Sequence, residues 1–251
     1  MQWSDEGLVL EARAHGERAL IVQMLTREHG RHAGLLRGGQ TPLTRAHWQI
    51  GNRLAVTWRA RLAEHLGSFS GEIAESHAAR LLGDHVRLAA LAASAALAAS
   101  ALPEREPHPR AYAGLNDLIL ALDNDDRWAL VYVEWEMVLL EELGFGLDLT
   151  HCAATGATED LIYVSPRSGQ AVCAAAGAPY REKMLRLPPF LRRAPGGGES
   201  ARPALGDVLD GIELTGFFLD RRVFAPHGRK LPVARARYVD VLRQVLTMAA
   251  T

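Results

Sequence analysis

The period of the hydrophobic pattern changes once along this chain, and that change limits what it can fold into. Before residue 76 apolar residues alternate in short runs between turn signals; after it they recur at helical spacing. Leu8, Leu10 and Ala12 share one parity in residues 7–14, and His15, Gly16 and Glu17 then make a turn. Leu20, Val22 and Met24 follow in residues 19–26, closed by Glu28, His29 and Gly30. Residues 31–37, 53–62 and 66–75 supply three further runs. Five short strands with no helix between them predict a small antiparallel barrel, of which the OB-fold is the five-stranded case; an Src-homology-like barrel is the competing solution.

In the fourth run Leu54, Val56 and Trp58 share one parity, while Arg53, Thr57, Arg59 and Arg61 share the other. Successive side chains of a strand face opposite ways, so the apolar set fills the barrel and the arginines line its outside. They would span about 27 Å from Arg53 to Arg61 at about 3.3 Å per residue, a spacing suited to a phosphodiester backbone. The alternative is a solvated face with ion pairs to Glu11 or Glu17.

A net charge of −1 over 251 residues conceals segregation. Residues 27–61 hold seven arginines against Glu28, net +6; residues 104–150 hold eleven acids against three arginines, net −8; residues 221–237 hold six bases and no acid. Two basic ends imply polyanion contact, and the acidic centre a different partner or simple solvation. Two cysteines exclude a disulfide scaffold and suit a reducing compartment. The Ala-rich stretch 88–102 is shorter than the roughly 20 residues of a membrane span, and residues 1–7 carry Asp5 and Glu6 where an export signal would be basic. The expected location is the cytoplasm, with no membrane partner.

Beyond residue 77, residues 81–102 and 111–122 are expected to be helices, separated by a loop at Pro103, Pro107 and Pro109. Asp123, Asn124, Asp125 and Asp126 are expected to cap a third helix, in which Trp128, Val131, Trp135, Val138 and Leu139 form one stripe ending at Gly144 or Gly146. The stretches 152–156 and 173–177 resemble two zinc-ribbon knuckles, each lacking its second cysteine. Residues 161–164 and 170–173, joined by a turn at 166–169, make a hairpin able to persist by packing alone. The expected organisation is therefore α+β and multidomain: an OB-fold at 1–76, a helical domain at 77–147 and 178–251, and a degenerate zinc-ribbon-like insertion at 148–177.

Catalytic motifs are not found. The glycines at 196–198 are not followed by the Lys and Ser or Thr of a P-loop, and no G-x-S-x-G elbow occurs. His29 and His32, three apart in a turn, read more readily as solvated histidines than as a metal pair. The expectation is a non-enzyme with no cofactor and no metal.

Trp3, Glu6, Gly7, Leu8, Val9 and Leu10, then Gly16 and Glu17, Leu25, Thr26, Glu28 and Gly30, and the basic loop Arg37, Gly38, Gly39 resemble the start of the RecO family of bacterial recombination mediators. The resemblance continues through Leu143 and Gly144, the 151–156 stretch, and Gly228, Lys230, Leu231, Arg235 and Tyr238, covering essentially the whole chain. It implies binding of single- and double-stranded DNA, strand annealing, and assistance to RecA loading with RecR, in some members RecF, and the acidic C-terminal tail of SSB. The family's metal-binding branch has cysteines where this chain has Thr155 or Gly156 and Ala176 or Gly177, so zinc is not carried over.

Under this resemblance Arg31, Arg37, Arg45, Arg53, Arg59 and Arg61 would neutralise phosphates, and Arg221, Arg222, Arg229, Lys230, Arg235 and Arg237 would extend the track. Outward aromatics are few, Trp48 being a loop candidate, so base stacking is expected to add little. Changing Arg53, Arg59 and Arg61 to Glu is expected to abolish annealing without unfolding. The alternative function is an adaptor that binds RecR and the acidic SSB tail, with DNA incidental; Arg127 or Arg110 would then rim an apolar pocket.

Overall fold

The computed structural model describes residues 1–62, 64–192 and 204–249; the glycines at 196–198 lie outside them. Strands β1 (Gln2–His15), β2 (Ala19–Thr26), β3 (Gly30–Arg37), β4 (Arg53–Arg59) and β5 (Ser68–Glu75) close into a barrel in the order β1-β2-β3-β5-β4. Its interior is filled by Val9, Leu20, Val22, Met24, Leu36, Trp48, Leu54, Val56, Trp58 and Phe69.

Three details depart from simple alternation. A helix, α1 (Pro42–His47), intervenes between β3 and β4. Its sequence signal is short: the Thr41 hydroxyl accepts the Thr44 N–H, and Pro42 stands at the first helical position, where no N–H is needed. The helix delivers Trp48 into the barrel core at 3% exposure, so this tryptophan is a plug and not a platform for bases. Second, the register of β1 on β2 shifts between Val9 and Glu11. Such a bulge reverses the parity, so Val9 and Ala12 face the core, while Leu8 and Leu10 lie outside it and are buried nonetheless. Third, β4 ends at Arg59, leaving Arg61 beyond the strand.

Leu8 and Leu10 are buried because helix α2 (His85–Ala101) packs on β1 and β2. Asp84 caps α2, its carboxylate accepting the N–H groups of Val86 and Arg87. Buried Asn52 fastens the chain where it leaves the barrel: its Oδ1 accepts the N–H groups of His77 and Ala78, and its Nδ2 donates to the carbonyls of Ala46 and His47. Pro109, expected in a loop, instead opens α3 (Pro109–Asn124).

Helix α4 (Trp128–Glu142) ends as expected: Gly144 takes a φ of +81°, and the Phe145 N–H reaches back to the Leu140 carbonyl. Its start does not follow expectation. Arg127 occupies the cap position and its side chain does not cap the helix, whereas Asp123 lies within α3 and accepts from Arg80. Nor is there one narrow stripe. Of the five residues expected on it only Trp135 and Leu139 are buried, joined by Leu130, Tyr132, Val133, Glu136 and Leu140. Fully buried Glu136 accepts the Thr215 hydroxyl.

The expected hairpin forms as β6 (Leu161–Val164) and β7 (Ala171–Cys173), followed by the short α5 (Ala174–Gly177). An unforeseen β8 (Leu185–Arg186) completes a sheet in the order β7-β6-β8. Helix α6 (Leu205–Phe218) runs into a π-helical turn (Leu219–Phe224), and α7 (Val233–Ala249) ends the described chain.

Two compact units result: Met1–Asp125 with Pro232–Tyr238, and Asp126–Leu231 with Val239–Thr251. This differs from a boundary at residue 76 and a separate insertion at 148–177. The first helices belong with the barrel because α2 packs on β1 and β2 and α3 packs on α2. The hairpin belongs with the second unit because β8 packs on α6 and Arg222 donates to the Ser168 carbonyl. Among the described residues no helix is long and apolar enough to cross a membrane.

Candidate nucleic-acid interface

The strand register assembles a row that no sequence window contains. Arg13 pairs with Ile21, Ile21 with Leu35, Leu35 with Ser68, and Ser68 with Arg59. Each shares the parity opposite to the core-facing residues beside it, so the row crosses all five strands on the outside of the barrel. At about 4.8 Å per strand, Arg13 and Arg59 stand about 19 Å apart along that surface. Arg37 lies two residues beyond Leu35 on the same face, and its partner Ala19 follows Arg18 on the β1–β2 turn. The row carries half-buried Ile21 and Leu35 between Arg13 and Ser68, and beside Arg59 the floor is small and polar, formed by Ser4, Thr57, Ser68 and Ser70. The Ser4 and Thr57 hydroxyls lie 2.8 Å apart. Such a floor lets a nucleic-acid backbone approach closely.

The expected phosphate contacts divide into two groups. Arg37, Arg45, Arg59 and Arg61 are exposed, and their side chains have no ion pair or hydrogen bond among the described residues. Arg221, Lys230 and Arg237 are exposed as well, with the Arg221 guanidinium 5.8 Å from the Phe217 ring centre. Arg229 is exposed and lies over Phe224. The second group is committed to structure. Arg53 donates to Glu6 at 2.9 Å and to Glu75 at 2.6 Å, rather than pairing with Glu11 or Glu17. It holds the Glu75 carboxyl below the usual carboxylate range, chiefly through that hydrogen bond. Arg31 donates from Nε to the Leu102 carbonyl at 2.8 Å and from Nη1 to Gln23 and Glu104. Arg222 lies over Phe218 and donates to Ser168. Arg235 is 5% exposed. These four are corrections to the expected set. A strand pattern shows which side of the sheet a side chain takes, not what covers that side.

Arg13 and Arg18 were missed because they lie upstream of the basic stretch at 27–61. Their only early signal is position: a hairpin tip beside the loop that follows β3.

A second feature of this unit is an apolar cavity of about 390 Å³ lined by Ala12, Leu20, Trp48, Leu88 and Leu91, with Arg45 among its walls. Neither Arg110 nor Arg127 lines it.

The ribbon-like hairpin keeps one thiol in a polar nest. Burial pushes the Cys152 thiol up, but the Thr155 hydroxyl and the N–H groups of Cys173, Ala154 and Thr155 outweigh it, bringing the pKa to about 6. The Cys173 N–H lies 3.3 Å from Cys152 Sγ. The donor set does not fit zinc: the two cysteines are joined by Thr155, and no three His, Cys, Asp or Glu cluster among the described residues.

The family models match nearly end to end, "Recombination protein O N terminal" over residues 1–77 and "Recombination protein O C terminal" over residues 82–231. The chain belongs to the recombination protein O family. Its similarity to curated members spans the whole length. It is 50% identical to the DNA repair protein RecO of Rhodospirillum centenum over 250 residues, covering 98% of this chain and 97% of that one. It is 48% identical to the RecO of Mesorhizobium japonicum, covering 97% and 94%, and 47% identical to that of Phenylobacterium zucineum, covering 97% and 98%. The RecO match at residues 1–77 coincides with the barrel and its exit at Asn52 and His77.

Proposed function

We propose that this protein binds DNA through the outside of its barrel, anneals complementary strands and assists RecA loading on SSB-coated single strands in recombinational repair. The barrel is read as an OB-fold, and the β6–β7 hairpin as a degenerate zinc ribbon held by packing. The single observation that carries the reading is the row from Arg13 to Arg59 with Arg37 beside it: exposed cations with no side-chain partner among the described residues, next to a small polar floor at Arg59. Screening two strands' phosphates on one surface lowers the repulsion that slows their pairing, and contacts to phosphate carry no sequence information. The role is non-catalytic and needs no cofactor. Arg221, Arg229, Lys230 and Arg237 are proposed as further contacts, RecR and in some settings RecF as partners, and the cytoplasmic nucleoid as the location.

The test is Arg13, Arg37 and Arg59 changed together to Glu. Affinity for single-stranded DNA is expected to fall at least about 100-fold at low salt, and the salt slope to fall by about two for three lost contacts at roughly 0.7 each. Annealing should fall in step while the thermal midpoint holds. Unchanged affinity in the folded triple variant would overturn the reading.

The adaptor reading has one observation in its favour. An acidic tail ending in Phe needs an apolar pocket beside a cation, and the Trp48 cavity with Arg45 offers both. Tail binding lost on Arg45→Glu, with DNA affinity retained, would favour it.

A further inference from the structure

One mouth of the barrel is open and aromatic. Trp3 is the direct cross-strand partner of Trp58, and Gln2 that of Arg59, so this mouth adjoins the basic row. Trp58 is anchored, its Nε1 donating to the Ala33 carbonyl at 3.1 Å and the Leu66 carbonyl at 3.3 Å. Trp3 stacks on Trp58 with ring centres 5.6 Å apart and 15° between planes. His29 stacks on Trp3 at 4.2 Å and 8°. The His29 ring is itself oriented: Asp5 Oδ2 lies 3.1 Å from its Nδ1 and also accepts the Glu28 N–H. Three parallel rings thus form a column ending at His29, whose side chain is 31% exposed.

The column borders a cleft of about 580 Å³ lined by Gln2, Trp3, Glu28, His29, His32 and Arg105, a volume within the range of small-ligand sites. His32 forms the floor of the cleft at 6% exposure, with its Nδ1 closed to solvent and without a hydrogen-bond partner of good geometry among the described residues, the His29 and Gly30 backbone being its polar neighbours. Burial, with the charges of Arg105 and His29, holds the His32 pKa down at about 4, so the ring is neutral at pH 7. The far wall is fixed by the committed arginine: Arg31 donates to Leu102, and the Arg31 carbonyl accepts the Arg105 N–H at 2.8 Å. Arg105 takes a φ of +63°, a conformation that L-residues rarely adopt and that clusters at ligand clamps.

We infer that this cleft is a nucleobase slot: an unstacked base of single-stranded DNA lies against His29 and continues the Trp58–Trp3–His29 column, while its flanking phosphates meet Arg59 and Arg105. A flat π-system is what the column's free end accepts, and any base has one. Cations on both sides of the cleft select a base that arrives with phosphates rather than a lone aromatic side chain. The inference rests on the proposed binding of DNA by the barrel and adds stacking to it, contrary to the expectation that stacking contributes little.

The experiment titrates the full-length protein with a 12-residue oligothymidylate and with an abasic oligonucleotide of the same length and charge. The normal protein should bind the base-bearing strand about tenfold more tightly, within the range of one base stacked on an aromatic ring. His29→Ala should remove most of that preference while leaving abasic affinity unchanged, and His29→Phe should restore it. Equal affinity of the normal protein for both strands, or equal loss of both in a folded His29→Ala variant, would overturn the slot while leaving phosphate binding intact. Binding to neither strand would overturn the slot and the proposed function together.

Discussion

Arg53 and Arg59 stand six residues apart on one strand with the same outward parity, yet they do opposite things. Arg53 pairs with Leu8 of β1 on the side of the barrel that α2 packs against, and two carboxylates close around it. Arg59 pairs with Gln2 and Ser68 on the open side and has no side-chain partner among the described residues. Arg31 and Arg37 repeat the contrast on β3, one bonded to the end of α2 and the other exposed with no side-chain partner among the described residues. The same residue type on the same face is held by neighbouring carboxylates and carbonyls on one side of the barrel and stays exposed, with no side-chain partner among the described residues, on the other.

The contrast can be broken most severely at Gly30, where β3 meets the loop after α2. Its φ is +70°, and a Cβ there would stand 1.9 Å from the Glu106 carbonyl oxygen. Gly30→Ala is expected to cost on the order of 3 kcal/mol, from strain and from displacing that loop, read as a fall in denaturant midpoint. An unchanged midpoint would show that the loop is not seated as described.

His32 sharpens the comparison through pH. Its folded pKa of about 4 lies below the ordinary histidine value of 6.5, so the unfolded chain takes up the proton first as pH falls. The stability it contributes is complete above pH 6.5 and is lost towards pH 4, by about 2 kcal/mol at pH 5 at 1.36 kcal/mol per unit. His32→Asn should remove this portion of the acid sensitivity, so the gap in stability between the two proteins changes by that amount between pH 7 and pH 5. A constant gap would refute it.

The smallest effect is expected at Arg53. Arg53→Ala should lower stability by about 1 kcal/mol, because its carboxylate partners are partly exposed, and leave DNA affinity within about twofold. The Glu75 carboxyl should titrate at higher pH once its donor is gone. A large loss of DNA affinity would place Arg53 with Arg59 after all. It follows that a triple change of Arg53, Arg59 and Arg61 would mix a structural defect with a binding defect.

Much of the fold could be read from the residues. The turn signals at Gly16 and Gly30, the parity of Leu54, Val56 and Trp58, the hairpin after Leu161 and the helix stop at Gly144 are local, and local physics places them. The bulge after Val9 was not legible, because a register shift is set by the partner strand. The Asp123 cluster misled because an acid beside a helix start is a cap only if its oxygen reaches the free N–H groups, and Asp123 instead meets Arg80. His29 read as a solvated turn histidine; it is one ring of a stack whose other members, Trp3 and Trp58, are 55 residues apart.

The sequence by itself determined the barrel strands, the switch to helices and the family, since alternation, turn chemistry and ordered motifs depend on near neighbours. Which arginines remain free was decided by the tertiary structure. Pairing across five strands gathers Arg13, Arg37 and Arg59, while the end of α2 engages Arg31 and the carboxylates of Glu6 and Glu75 engage Arg53, because a guanidinium's availability depends on what is brought within about 4 Å of it in space.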